Sequence, residues 1–529
     1  MKLKEYYFSY ITTTLWFSLT LIVITTSILI CDGHLVYSLD DPYIHLAVAE
    51  NIIRGGYGIN LHEFSSPSSS ILYPLMLSIT ELIGLGALGP IVLNLLAALC
   101  VVFLTSRFFE LYILPLDIKI SVVNSVLLVS WGLVIIFITN SIALPMTGME
   151  HIWHVLFVII TLHGIAGLLQ NGTRWWFYAS IILMPLIRFE GLAFSCALII
   201  IFFFIKPYRM AAISLIVLLT LILIHEFFMK TLGLPILPSS VLMKSEIVTS
   251  ALGYSDTFLI ESVIRNFKYS LSQRAGLIIT VTLGLIWISY LYAERKTNRQ
   301  QYKILVFSVT GAIIGHIFMG QYGWFFRYEV YILTMAIFTL LYLCREMLKK
   351  RWVSEKRLAH ISILLCLLAV SAPYVYATVI TPKACRGIFE QQFQMHRFVA
   401  DFYQRPVAVN DIGLVSYMND EYVLDLYGLG SEEVRQLKSA GKFGKSEMSN
   451  MISKKKIELV MIYDTWFEEI PDNWRKIAVL KTQKITAASG EVSFYITPYG
   501  NTSSAMEALL KFKATVPSRV QIVMYMTKD

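Results

Sequence analysis

The chain has 529 residues, 56% of them hydrophobic and 15% charged, with a mean hydropathy of +0.62 and a formal net charge of +8. Soluble domains carry about 25% charged residues, so this composition excludes an ordinary soluble globular protein and fits a polytopic membrane protein. The positive balance does not argue for a nucleic-acid partner, because much of it lies in short loops between apolar runs, as the positive-inside bias produces.

Lys2 and Lys4 precede an apolar run over 11–31 that is long enough to span and is followed by no small-residue cleavage site. It reads as an uncleaved first helix with its N-terminus in the cytoplasm. Further spanning or nearly spanning runs follow at 88–108, 119–138, 151–169, 210–229, 275–293, 303–320, 328–344 and 358–380. Two stretches are ambiguous. Residues 70–86 are apolar but short, flanked by Pro67, Pro74 and Gly84, and 175–205 is too long for one comfortable helix and carries Arg188-Phe-Glu-Gly191 at its middle. The basic loops Lys206–Arg209, Glu294–Arg299 and Arg345–Arg357 are cytoplasmic by the same charge rule. Parity is met by placing 70–86 at the interface and reading 175–205 as a pair that turns at Arg188–Gly191. That choice moves Arg188 and Glu190 out of the bilayer centre, where ionised groups cost several kcal/mol.

The expected architecture is therefore a polytopic α-helical membrane protein of about eleven spans, with residues 1–380 as the transmembrane domain and 381–529 as an extracytoplasmic one. The latter carries strand-like segments at 406–410, 422–426 and 457–463, separated by helical stretches near 390–404 and 431–440, which predicts a small α/β domain. The six cysteines lie mostly inside apolar runs without CxxC spacing, so they read as core hydrophobes rather than a disulfide frame or metal site.

In this topology the unusual polar residues collect on the outer side. The first outer loop, 32–87, holds Asp40, Asp41, Tyr43, His45 and Arg54. Later outer turns hold Glu150 with His151, Arg188 with Glu190, Lys244, and Arg327 within the aromatic run Tyr322–Tyr328. Adjacent carboxylates beside a low-dielectric boundary can raise one pKa and supply a base. Each residue also has a plainer reading. The Asp40-Asp41 pair ahead of Pro42 suits helix capping by one of the two acids, Glu150 suits the start of the next helix, and Arg188 with Glu190 suits a structural ion pair. His45 suits a hydrogen bond within its loop, and Lys244 and Arg327 suit snorkelling at the interface. The aromatic run suits anchoring, and Asn410-Asp411 with Gly413 reads as a structural turn after a strand, since no GxGxxG is present.

At these residues the sequence resembles the GT-C-fold, polyprenyl-phosphate-dependent glycosyltransferases, and most of all bacterial relatives of the mycobacterial-type terminal arabinofuranosyltransferases. The likeness is carried in order by Asp40-Asp-Pro-Tyr-Ile44, Ser66-Pro-Ser-Ser69, Thr147-Gly-Met-Glu-His151, Ile187-Arg-Phe-Glu-Gly191, Pro238-Ser-Ser with Lys244, and Arg327-Tyr328. Val407-Ala-Val-Asn-Asp-Ile-Gly413 and Val423–Leu429 extend it into the outer domain. Phe189, His151 and Ser239-Ser240 depart from the family pattern of proline, threonine and Asn-Thr.

The resemblance implies a glycosyltransferase of the bacterial plasma membrane that moves a sugar from a polyprenyl-phosphate donor to an envelope glycan, lipid or protein acceptor on the extracytoplasmic face. It implies Asp40, Asp41 and Glu150 as catalytic residues, and Tyr43, His45, Arg54, Arg188, Glu190, Lys244 and Arg327 as substrate-binding ones. A divalent cation shared by Asp40, Asp41 and Glu150 is chemically sensible because hard cations prefer carboxylate oxygen, and no nucleotide cofactor is expected. The rival readings are a lipid-linked saccharide transporter, which needs ionisable residues through the bilayer interior, and a non-catalytic glycan-binding scaffold.

Overall fold

A computed structural model of the chain describes residues 6–115, 121–171, 174–204, 208–251, 258–297, 300–353 and 357–525. Among them, eight helices are long and apolar enough to cross a membrane: Tyr7–Ile30, Gly86–Tyr112, Val122–Met146, His151–Leu168, Tyr208–Thr231, Arg274–Ala293, Tyr302–Met319 and Leu358–Tyr403. A bent pair, Val330–Leu343 and Arg345–Trp352, meets at 64°, and Trp175–Ile187 and Gly191–Phe204 are shorter apolar helices. The chain is thus a polytopic α-helical membrane protein. The stretch 175–205 breaks into two helices around Arg188–Glu190, as the cost of burying ionised groups in lipid requires. Within 70–86 the main helix is Tyr73–Leu82, whose ten residues are too short to span.

The helices divide between two compact units, the first made of Met1–Thr25, Ile91–Ile224 and Ile260–Ile380. Its close packing relies on small residues, because lipid supplies no hydrophobic drive between helices. On Gln300–Met319, Gly311 and Gly315 each face an alanine, Ala197 and Ala193, and a Cβ there would lie 2.9 and 2.7 Å from the alanine methyls. Two small-residue pairs at a spacing of four thereby let this helix approach Gly191–Phe204.

The second unit joins Thr26–Pro90 and His225–Leu259 to Thr381–Asp529. Its centre is a six-stranded mixed sheet: β1 Val407–Val409, β2 Val423–Asp425, β3 Leu459–Ile462, β4 Arg475–Lys481, β5 Glu491–Ile496 and β6 Gln521–Met524, in the order β2-β1-β3-β5-β4-β6. β1 pairs in parallel with β2 and β3, and the remaining pairings are antiparallel. Side chains alternate across it. Val407, Val409, Leu459 and Met461 join one core with Phe398, Phe494 and Phe512, whereas Ala408, Val460 and Ile462 join another with Leu424, Val434, Met448 and Ile452. Both faces are covered, which is why β1 and β3 read in sequence as unbroken apolar runs. Three strands fall where expected, and β4 to β6 add the antiparallel half.

Candidate active site

Asp40 occupies the position before the helix Asp41–Ile53, but its carboxylate makes no bond to that helix, and its backbone is already right-handed helical (φ −81°, ψ −30°). Of the pair, Asp40 is therefore not a capping residue. Asp40 Oδ2 instead accepts the Gly413 amide at 2.7 Å and Oδ1 accepts the Leu414 amide at 2.9 Å. Those amides open the one-turn helix Gly413–Ser416 just beyond β1. Glycine is required there by close approach: a Cβ on residue 413 would lie 2.1 Å from the Asp40 carbonyl oxygen and 2.5 Å from Oδ2.

Asp411 completes the cluster. Its Oδ2 accepts Gln392 Nε2 at 2.8 Å and lies 2.8 Å from the Tyr463 hydroxyl, which is itself 2.7 Å from Gln391 Oε1. Asn410 Oδ1 accepts the Tyr463 amide at 2.7 Å, tying this turn to the end of β3. Burial pushes the Asp40 carboxyl well above the usual carboxylate range, the Asp411 charge adds to that, and the two amides oppose it. Asp411 is raised too, chiefly by burial and against the Gln392 and Tyr463 hydrogen bonds. The two acids titrate as a pair that holds a proton above the pH at which an ordinary aspartate loses it. Asp41, in the first turn of its helix, is partly exposed and adds a third negative charge that both of the others feel.

The first unit holds a separate polar cluster. Arg188 Nη1 meets the fully buried Glu150 at 2.6 Å, while Nη2 and Nε grip both oxygens of Glu190 at 2.6 and 3.1 Å. A guanidinium suits this role because its planar fork serves two carboxylates at once. The structural ion pair expected for Arg188 and Glu190 is present, with Glu150 as its third member. Arg188 also lies 5.5 Å from the centre of the Tyr328 ring, and Arg327 lies 5.0 Å from the same ring and donates to its hydroxyl at 3.1 Å. His151 packs edge-on against Tyr328. Gly323, Trp324, Phe325 and Phe326 all have left-handed φ, from 45° to 79°. Such a run of non-glycine residues costs about 1 kcal/mol or more per residue. The strained turn brings Arg327, 2% exposed, into the protein interior.

Two crystal structures of ArnT from Cupriavidus metallidurans, one bound to undecaprenyl phosphate and one apo, superpose on this chain with TM-scores of 0.50 and 0.51. Each is 9% identical, and each match covers 92% of this chain and 98% of that one. The chain has the GT-C fold. The chain also matches a family described as a domain of unknown function, DUF8728, over residues 386–495, which takes in β1 to β4 and all but the last residue of β5. No curated protein matches it.

Of the other residues singled out in the sequence, Tyr43, His45 and Arg54 have structural partners. Tyr43 is buried and its hydroxyl accepts the Tyr37 amide at 3.2 Å. His45 Nδ1 lies 3.0 Å from Ser68 Oγ, the hydrogen bond within the loop that the sequence favoured. Arg54 is half exposed and pairs with Glu50 at 2.8 Å and Asp420 at 3.1 Å. It lines a polar cavity of about 270 Å³ together with Asn60, Glu63, Tyr422 and Lys455. Lys244 closes the short helix Ser239–Lys244, and its side chain lies outside the described residues. The carboxylates make a poor ligand set for a divalent ion. Asp40 gives each oxygen to an amide, Glu150 is paired with Arg188, and among the described residues no three His, Cys, Asp or Glu side chains are grouped to hold a metal.

Sequence reasoning missed Asp411, Gly413, Gln392 and Tyr463 as neighbours of Asp40. The available signal is Asn410-Asp411 with Gly413 immediately after a strand, a pattern that by itself reads only as a turn.

Proposed function

We propose that this protein is an inverting membrane glycosyltransferase that moves a sugar from a polyprenyl-phosphate donor to an envelope glycan, lipid or protein acceptor on the extracytoplasmic face. The observation that carries the reading is the Asp40, Asp41 and Asp411 cluster, in a chain whose fold is shared with a protein solved with undecaprenyl phosphate bound. The nearness to terminal arabinofuranosyltransferases rests on the sequence motifs.

In this account Asp41 is the general base. A base must reach the proton it takes, within about 2.6–3.2 Å, and Asp41 is the more open of the adjacent pair, Asp40 being 7% exposed with both oxygens committed to amides. The acceptor hydroxyl oxygen attacks the anomeric carbon, the carbon–oxygen bond to the lipid phosphate breaks, and the hydroxyl proton passes to Asp41. Polyprenyl phosphate departs as a weak base and needs no general acid. Asp40 acts as a positioning residue for the first turn of the helix that carries Asp41. On the sequence motifs, and not on any placement of one unit against the other, Arg327 and Lys244 are the cations assigned to the departing phosphate, since fixed cations stabilise charge that develops in the transition state.

The test is reconstitution of the full chain in lipid with a panel of polyprenyl-phosphate sugars, scored by mass gain on candidate acceptors. Transfer that is lost in Asp41→Asn, in protein that still inserts and folds, supports the reading. Glycan modification fully retained by both Asp40→Asn and Asp41→Asn sinks it.

A further inference from the structure

The helix Leu259–Ser272 has the opposite polarity to an ordinary surface helix. Its polar side chains at a spacing of four, Ser262, Asn266 and Ser270, face the protein. Ser262 and Ser270 are buried, Ser270 Oγ donates to the Ile317 carbonyl at 2.6 Å, and Asn266 Nδ2 donates to the carbonyls of Phe318 at 2.9 Å and Gly320 at 3.3 Å. Phe267 stacks on Phe318 with ring centres 5.0 Å apart. The helix is thus held by side-chain bonds to carbonyls at the end of Gln300–Met319.

Two of its aliphatic side chains point away: Ile260 is 74% exposed and Ile264 48%, while Phe267 and the half-buried Leu271 share their face by spacing and Phe267 packs on Phe318. Glu261, Arg265 and Lys268 form a third stripe, also exposed, in which Arg265 pairs with Glu261 at 3.0 Å. With 3.6 residues per turn, the docked, aliphatic and charged stripes lie roughly 120° apart. A helix facing water on two sides has no reason to expose two isoleucines in line. A helix lying flat in a bilayer interface does, with aliphatic groups toward the acyl chains and cations among the headgroups. Two residues after this helix ends, Arg274 begins Arg274–Thr297, whose apolar part Arg274–Ala293 is long enough to span. The end of a span is the place where an in-plane helix meets the interface.

We infer that Leu259–Ser272 is an in-plane lipid-binding helix, with Ile260 and Ile264 inserted among acyl chains and Lys268, the net positive charge that the Arg265–Glu261 pair leaves on this stripe, recruiting anionic phospholipid headgroups. The partner is one leaflet of an anionic bilayer. Charge complementarity and continuity with the adjoining span select it over a protein partner. The inference does not depend on the glycosyl-transfer reading.

The experiment is cysteine accessibility in the full chain, with the exposed Cys100, Cys196 and Cys366 changed to alanine. In nanodiscs containing about one-third phosphatidylglycerol, Ile260→Cys and Ile264→Cys are expected to react with a membrane-impermeant maleimide about ten-fold more slowly than Glu261→Cys and Ser272→Cys. Equal rates at all four positions overturn the in-plane placement. Lys268→Gln keeps the helix and removes one cation. Native mass spectrometry is expected to show phosphatidylglycerol retained about five-fold less well by that variant, with phosphatidylcholine unaffected. Unchanged retention overturns the anionic preference.

Discussion

Gly413→Ala tests the connection on which the acid cluster depends. The added methyl would start 2.1 Å from the Asp40 carbonyl oxygen, whereas even tight real contacts stay above 3.0 Å, so the two segments must part by at least about 0.9 Å. Rotating the Asp40 side chain relieves the 2.5 Å approach to Oδ2 but leaves the carbonyl in place. A separation of that size takes the 2.7 and 2.9 Å bonds from Gly413 and Leu414 beyond hydrogen-bond range. At about 1–3 kcal/mol for each buried group left unpaired, the loss is about 2–6 kcal/mol. A unit of this size loses about 2–4 °C of midpoint per kcal/mol. Thermal unfolding of the full chain in nanodiscs, alongside sugar transfer, reads both consequences. The expected result is a midpoint lowered by at least several degrees and a severe loss of transfer, while Gly284→Ala, where nothing lies within 4 Å, leaves both unchanged. Wild-type midpoint and transfer in Gly413→Ala refute the argument that Asp40 is fixed through this glycine.

Other consequences follow from the same contacts. Because Asp40 and Asp411 are raised, the folded chain holds protons that the unfolded chain releases, so the pair's contribution to stability is full at low pH and is lost as pH rises through their folded values. Asp411→Asn, which removes one charge and can donate to Asp40, should therefore raise the unfolding midpoint more at pH 8 than at pH 4; an equal effect at both contradicts the shared proton. Arg188→Lys should destabilise the first unit by about 3 kcal/mol or more, because a single ammonium cannot replace a fork serving both Glu150 and Glu190. Glu150→Gln, which keeps an acceptor for Arg188 Nη1, should cost less than Arg188→Lys in the same unfolding assay. Arg327→Gln should raise the concentration of polyprenyl-phosphate sugar needed for half-maximal transfer while leaving the unfolding midpoint within a few degrees; a changed midpoint with unchanged transfer would make Arg327 purely structural.

Much of the fold was legible because lipid imposes strict rules. A run of about twenty apolar residues has few alternatives to a span, and Arg188 with Glu190 forced the break that separates Trp175–Ile187 from Gly191–Phe204. β1 and β3 were readable because burial on both faces leaves unbroken apolar runs. β4 begins and ends on charged residues, and β6 is half exposed, so neither carries that signature. The acid cluster was half legible. Two adjacent aspartates announce themselves, but Asp411, Gly413 and Tyr463 lie some 370 to 420 residues further along, and only the folded sheet brings them to Asp40. An aspartate pair before Pro42 has capping chemistry, yet at Asp40 two amides from a distant turn took the oxygens.

The role proposed for Asp41 is removal of a proton from an acceptor hydroxyl during transfer from a polyprenyl phosphate. The most direct measurement is single-turnover sugar transfer by the wild type and Asp41→Asn in matched nanodiscs, with donor binding measured separately. Donor binding is expected to stay within about two-fold of wild type and transfer to slow by about 10²–10⁴. Transfer at the wild-type rate by Asp41→Asn contradicts that role.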